Sequence, residues 1–173
     1  ESFYGGAAGG GKSEALLQAA LQYVDQPVYA ALILRRTYAD LSKPGALLDM
    51  AQEWLAPTDA QWRSQSHTWE FPSGAKLAFG YLANDLDVHQ FQSAGFQFVG
   101  FDELTQFGEF QYRYLYSRLR RLAGVNVPIR MRSASNPGGI GHDWVKQRMI
   151  AEGRKRGIVY IPAKLSDNPS LDA

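Results

Sequence analysis

The chain contains no cysteine, so neither a disulfide nor a thiolate metal site is open to it. It has no apolar run long enough to span a bilayer and no signal-peptide pattern. No charge dominates: 18 Lys+Arg against 17 Asp+Glu leave +1, so any surface for a polyanion has to be a local patch. Internal repeats and low-complexity segments are missing as well. Methionine does not open the sequence, the first strand pattern begins almost at once, and Asn168 to Ala173 reads as a loop, so a piece of a longer polypeptide is expected. What is present suffices for one domain with a real core: 173 residues, 45% of them hydrophobic.

The most informative stretch lies near the start. Gly6 through Ser13 (GAAGGGKS) satisfies G-x-x-x-x-G-K-[ST] at every fixed position. Backbone that passes close to a polyphosphate has no room for Cβ atoms, and its successive N–H groups form an anion nest at a helix N-terminus. In this pattern Gly6, Ala7, Ala8, Gly9, Gly10 and Gly11 cradle phosphate. Lys12 brings a mobile positive charge, and the Ser13 hydroxyl is a ligand for Mg²⁺. The flanks agree, with an apolar lead-in at Ser2-Phe3-Tyr4 and a helix from Glu14 to Val24 carrying Leu17, Leu21 and Val24 on one face.

Further along, Val28 to Leu34 (VYAALIL) reads as a strand covered on both faces, ending at Arg35-Arg36. A helix is expected from Asp40 or Pro44 to Leu55, and a polar loop from Pro57 to Ser66. Thr68 to Phe71 and Ala75 to Tyr81 form a β-hairpin around Pro72-Ser73-Gly74; Asp85 to Ala94 is ambiguous. Phe96 to Phe101 is a strand, Glu109 to Leu122 a helix and Ile129 to Ala134 a strand. His142 to Ile150 is helical, and Ile158 to Ile161 is the last strand. Strands alternating with helices predict an α/β fold on a mainly parallel sheet.

The strand from Phe96 runs into Asp102-Glu103. After a phosphate loop, an acid at a strand's carboxyl end suits Mg²⁺, and a second carboxylate beside it suits activation of water. The interval between Gly11 and Asp102 fits a sheet in which Ile129 to Ala134 lies between the loop strand and the acidic strand. Ser133 to Asn136 then opens near the γ-phosphate, where Asn136 could contact that group or the attacking water. Asn136-Pro137-Gly138-Gly139 also satisfies the composition of a plain turn. A small-molecule kinase, a helicase-type ATPase and an inert nucleotide-binding module share parts of this pattern. The Asp102-Glu103 pair speaks against the kinase.

Five segments in order carry a specific resemblance: Gly5 to Ser13, Leu34-Arg35-Arg36-Thr37-Tyr38, Gly100-Phe101-Asp102-Glu103-Leu104, Ser117-Arg118-Leu119-Arg120, and Ser135 to Val145 (SNPGGIGHDWV). Together they resemble the ATPase domain of the large subunit of tailed-bacteriophage terminase, over essentially the whole chain. The resemblance implies a RecA-like ASCE fold with an inserted hairpin, residues 1–173 forming a single ATPase domain. It also implies ATP and Mg²⁺ as cofactors and translocation of double-stranded DNA into a procapsid. The implied setting is a homo-oligomeric ring with the portal and small terminase subunit, in the cytoplasm of a bacterial host and with no membrane. By the same resemblance Asn136 lies in the motif coupling hydrolysis to motion, and a nuclease domain belongs to the family but not to this stretch. Relatives often place an arginine for a neighbouring subunit's nucleotide shortly before the acidic strand. Here no arginine occurs between Arg63 and Asp102, so Arg118 and Arg121, three apart on the expected helix, are the substitute candidates. The basic run Arg148 to Arg156 could touch DNA, a neighbouring subunit or only solvent.

Overall fold

The structure is a computed structural model that describes residues 1–164 apart from Ala8, Leu122 and Val125; the loop expected at 168–173 lies outside the described residues. Its frame is an eight-stranded sheet: β1 (Ser2–Gly6), β2 (Ala30–Arg35), β3 (Gln61–Arg63), β4 (Thr68–Glu70), β5 (Lys76–Tyr81), β6 (Phe98–Asp102), β7 (Arg130–Ser135) and β8 (Val159–Ala163). The spatial order is β3-β4-β5-β2-β6-β7-β1-β8. Pairing is parallel from β5 through β8 and antiparallel for β3–β4 and β4–β5.

The unbroken apolar run of β2 follows from this position. Strand side chains alternate faces, and here both faces are covered. Ala31 and Ile33 enter one core with Leu16 and Leu17 of α1 (Lys12–Leu21), Leu41 of α2 (Tyr38–Ser42) and Leu47, Ala51 and Leu55 of α3 (Leu47–Leu55). Leu32 and Leu34 enter the other with Phe101 of β6, Phe107 just before α4 (Glu109–Tyr116), Tyr112 and Leu115 within α4, and Val145 of α5 (His142–Val145). Each such fully buried Leu or Ile contributes about 1.5–3 kcal/mol.

β7 lies between β1 and β6, as the spacing predicts. Several elements differ from expectation. The helix expected to reach Leu55 is split into α2 and α3, with Lys43 extended before Pro44, because a residue preceding proline is driven out of the helical region. Within the expected loop 57–66, β3 pairs with β4 and packs Trp62 against Trp69 with ring centroids 5.5 Å apart and tilted by 48°. The ambiguous stretch holds a 3₁₀ turn at Asp85–Phe91, with Asn84 capping Leu86 N–H. After α5 the helix widens to a π-turn over Lys146–Ala151. The most consequential difference is at α4, which stops at Tyr116 instead of reaching Leu122. There the backbone turns to bond the lead-in of β6: Phe96 N–H donates to Arg118 O and Arg120 N–H to Phe96 O.

Candidate nucleotide site

The carboxyl ends of β1, β7, β6 and β2 bring together residues distant in sequence. β1 ends at Gly6, whose φ is +138° and where a Cβ would lie 2.1 Å from the Ala163 carbonyl of β8, so no other residue fits. The next residue, Ala7, donates its N–H to that same carbonyl at 2.9 Å. The loop through Gly9, Gly10 and Gly11 leads straight into α1 at Lys12; Ala8 lies outside the described residues. Lys12 is 7% exposed and donates its ammonium to the Ala7 carbonyl. Burial holds its pKa below the usual lysine value, against the opposing pull of the Glu103 and Asp102 carboxylates.

The alternation of β6 places Asp102 on the face that Phe98 and Gly100 turn toward α1. There Ser13 Oγ donates to Asp102 Oδ1 at 2.9 Å. Asp102 is 1% exposed, and its Oδ2 accepts from both Nε and Nη2 of Arg35, each at 2.5 Å. Glu103 leaves the strand in a left-handed conformation, φ 56° and ψ 54°, which a side chain with a Cβ adopts only at a cost of ~1–2 kcal/mol. Its carboxylate accepts from Asn136 Nδ2 at 3.3 Å, from Asn136 N–H at 3.4 Å and from Ser135 Oγ at 3.5 Å. Asn136 Oδ1 is buried with no hydrogen-bond partner among the described residues.

The loop after β7 is fastened to the segment after β6. Thr105 Oγ1 and Ser135 Oγ are 2.8 Å apart, Gly141 N–H donates to Thr105 O at 2.7 Å, and Trp144 Nε1 donates to Phe107 O at 2.8 Å. His142 opens α5, and its Nδ1 accepts from Gly138 N–H at 3.1 Å. Two open cavities meet at Glu103. One, about 390 Å³, is lined by Gly9 to Glu14, Glu103 and Asn136 among others. The other, about 380 Å³, is lined by Arg35, Arg36, Asp40, Glu103 and Gln106.

Residues 3–170 match the family described as terminase large subunit, T4likevirus-type, N-terminal. The chain belongs to this terminase family. Its fold is that of the large terminase from a thermophilic bacteriophage. The structure of that protein in complex with ADP superposes with a TM-score of 0.74 at 14% identity, covering 99% of this chain and 42% of that one. The complex with ATP-gamma-S superposes at 0.68 and 16% identity, covering 99% of this chain and 41% of that one. The chain therefore spans less than half the length of these terminases, and the shared architecture is RecA-like. No curated protein sequence matches it.

In this terminase chain the site gathers Lys12, Ser13, Asp102, Glu103 and Asn136, but not the two arginines chosen from sequence. Because α4 ends early, Arg118 and Arg121 do not share a helical face. Arg118 lies 5.1 Å from the Tyr114 ring centroid and donates to Gln92 O at 2.6 Å. It stands by the amino end of β6, whereas Asp102 is at the carboxyl end. Of the two arginines at the carboxyl end of β2, Arg36 lies just past the strand and donates to Leu82 O and Gln111 Oε1, at 3.1 and 3.3 Å. Arg35 contacts the site, and sequence reading left it unassigned. No stretch of sequence signals this contact: it follows from β2 lying beside β6, where Leu34 pairs with Phe101 one residue before Arg35 and Asp102. Of the basic run, Arg148 is bonded to Glu1 at 2.9 Å and stacks over Tyr112, and Arg156 pairs with Glu152 at 2.5 Å. No helix among the described residues is long and apolar enough to cross a membrane.

Proposed function

We propose that the chain is the ATPase domain of a DNA-packaging motor, hydrolysing ATP and coupling hydrolysis to translocation of double-stranded DNA. The observation carrying this reading is the convergence of Lys12, Ser13, Glu103 and Asn136 on one cavity, with Asp102 bonded to Ser13 behind it, from three neighbouring strands. Nucleotide in the structures of the thermophilic phage's large terminase, named there as ADP and ATP-gamma-S, supports it. Lys12 and the glycine loop hold the β- and γ-phosphates. A hydroxyl and a carboxylate oxygen 2.9 Å apart suit Mg²⁺, which takes one or two protein oxygens and keeps several waters. Bound there between Ser13 and Asp102, Mg²⁺ would neutralise phosphate charge. Glu103 orients and deprotonates the attacking water. Asn136, bonded to Glu103 through both its side chain and its backbone, senses the γ-phosphate. Because Ser135, Gly141 and Trp144 fasten the segments after β6 and β7 together, a shift of Asn136 carries the α5 end with it. The working assembly is a homo-oligomeric ring with portal and small subunit, in the host cytoplasm, in which Arg118 or Arg121 reaches a neighbour's nucleotide.

Nucleotide titration tests the first step. Lys12→Ala should weaken ATP binding at least tenfold, a loss of about 1.4 kcal/mol or more. Unchanged affinity would remove the glycine loop from the phosphate site.

A further inference from the structure

Asp102 is a buried carboxylate whose two oxygens are divided between two partners: Oδ1 accepts from Ser13, and Oδ2 takes the Arg35 guanidinium through two nitrogens. A charge removed from water in this way needs an opposite charge close by, and Arg35 is the cation in direct contact with it among the described residues. The Arg35 side chain is 19% exposed and also lines the polar cavity shared with Glu103 and Asp40, so its guanidinium has room and two further carboxylates within that cavity. A divalent ion placed on Ser13 and Asp102 would stand within a few ångströms of the guanidinium, a like charge sharing the same carboxylate.

We propose that Arg35 is the resident counter-cation of Asp102, competing with the divalent ion for the charge of that one carboxylate, and that metal loading releases it into the cavity beside Glu103. This rests on the reading of Ser13 and Asp102 as the metal-holding pair. Arg35 is thus a positioning residue that sets how much divalent ion the site requires. In metal-free protein it keeps the buried carboxylate paired; with metal and nucleotide bound, that pairing is no longer needed.

The test is binding of Mn²⁺ with ADP, read by electron paramagnetic resonance on the wild-type chain, Arg35→Gln and Asp102→Asn, alongside thermal unfolding with and without metal nucleotide. Arg35→Gln should bind Mn²⁺ about tenfold more tightly, as one competing charge is removed. Its metal-free Tm should fall by a few degrees, because Asp102 is left unpaired, and Mn²⁺ with ADP should restore more of that Tm than in wild type. Asp102→Asn should lose most of the Mn²⁺ affinity. If Asp102→Asn loses it while Arg35→Gln binds no more tightly than wild type, the competition is overturned and the metal reading stands. If Asp102→Asn binds like wild type, both are overturned. Should Arg35→Gln fail to fold, Arg35→Lys keeps the charge but not the two-nitrogen contact; its Mn²⁺ affinity should rise about threefold, and no rise would overturn the proposal.

Discussion

Glu103, the proposed base, sits on a strained backbone, and the strain can be measured without reference to turnover. Its φ of 56° lies in the left-handed region, which costs a residue bearing Cβ ~1–2 kcal/mol relative to glycine. Both Glu103→Ala and Glu103→Gly remove the carboxylate and its bonds to Ser135 and Asn136. Their difference in stability therefore isolates the backbone. Glycine also makes the unfolded chain more flexible, at a cost of roughly 0.5–1 kcal/mol. The net expectation is a Gly variant more stable than the Ala variant by about 0.5–1 kcal/mol, the reverse of the order at an ordinary strand or helix position. Urea denaturation with linear extrapolation gives each value. An Ala variant as stable as the Gly variant, or more so, would refute the strained geometry at the end of β6.

Three further outcomes follow from other contacts. Gly141→Ala would place a Cβ 2.3 Å from Phe107 O and 2.5 Å from Trp144 Nε1; it should cost ~1–3 kcal/mol and, in urea melts, a cost under about 0.5 kcal/mol would contradict the packing of that loop. Lys12→Met should change the pH dependence of stability. Since burial lowers the folded-state pKa of Lys12, the unfolded chain binds the extra proton between that value and 10.5, and wild-type stability relative to Lys12→Met should rise with pH across that window. A flat difference from neutral pH to pH 10.5 would contradict it. For the trans arginine, mixing Arg118→Ala or Arg121→Ala subunits with Lys12→Ala subunits should restore ATP turnover; no rescue in any mixture would exclude both residues.

The sheet was legible because its constraints are local and periodic. The unbroken run in β2 announces a strand with two covered faces, and the glycine loop announces the strand–helix junction on either side of it. The order of β1, β7 and β6 could be read from spacing alone, since a long insertion separates Gly11 from Asp102. What stayed hidden depends on contacts between distant segments. α4 carries no breaker before Leu122; it ends because Phe96 competes for the backbone of Arg118 and Arg120, and that competition is tertiary. β3 has three residues, too few to show alternation. The bonds of Asn136 to Glu103 and of Arg35 to Asp102 join residues 33 and 67 apart, which no window of sequence brings together.

The central claim is that Glu103 serves hydrolysis and not nucleotide binding. The direct measurement is phosphate release by Glu103→Gln, beside its affinity for ATP in the same buffer with Mg²⁺. Glutamine keeps the shape and can still meet Asn136 but cannot take a proton from water. Affinity should stay within about threefold of wild type while turnover falls by roughly 10²-fold or more. Turnover retained at the wild-type rate, with ATP bound, would contradict the assignment of Glu103 and with it the reading of this site as hydrolytic.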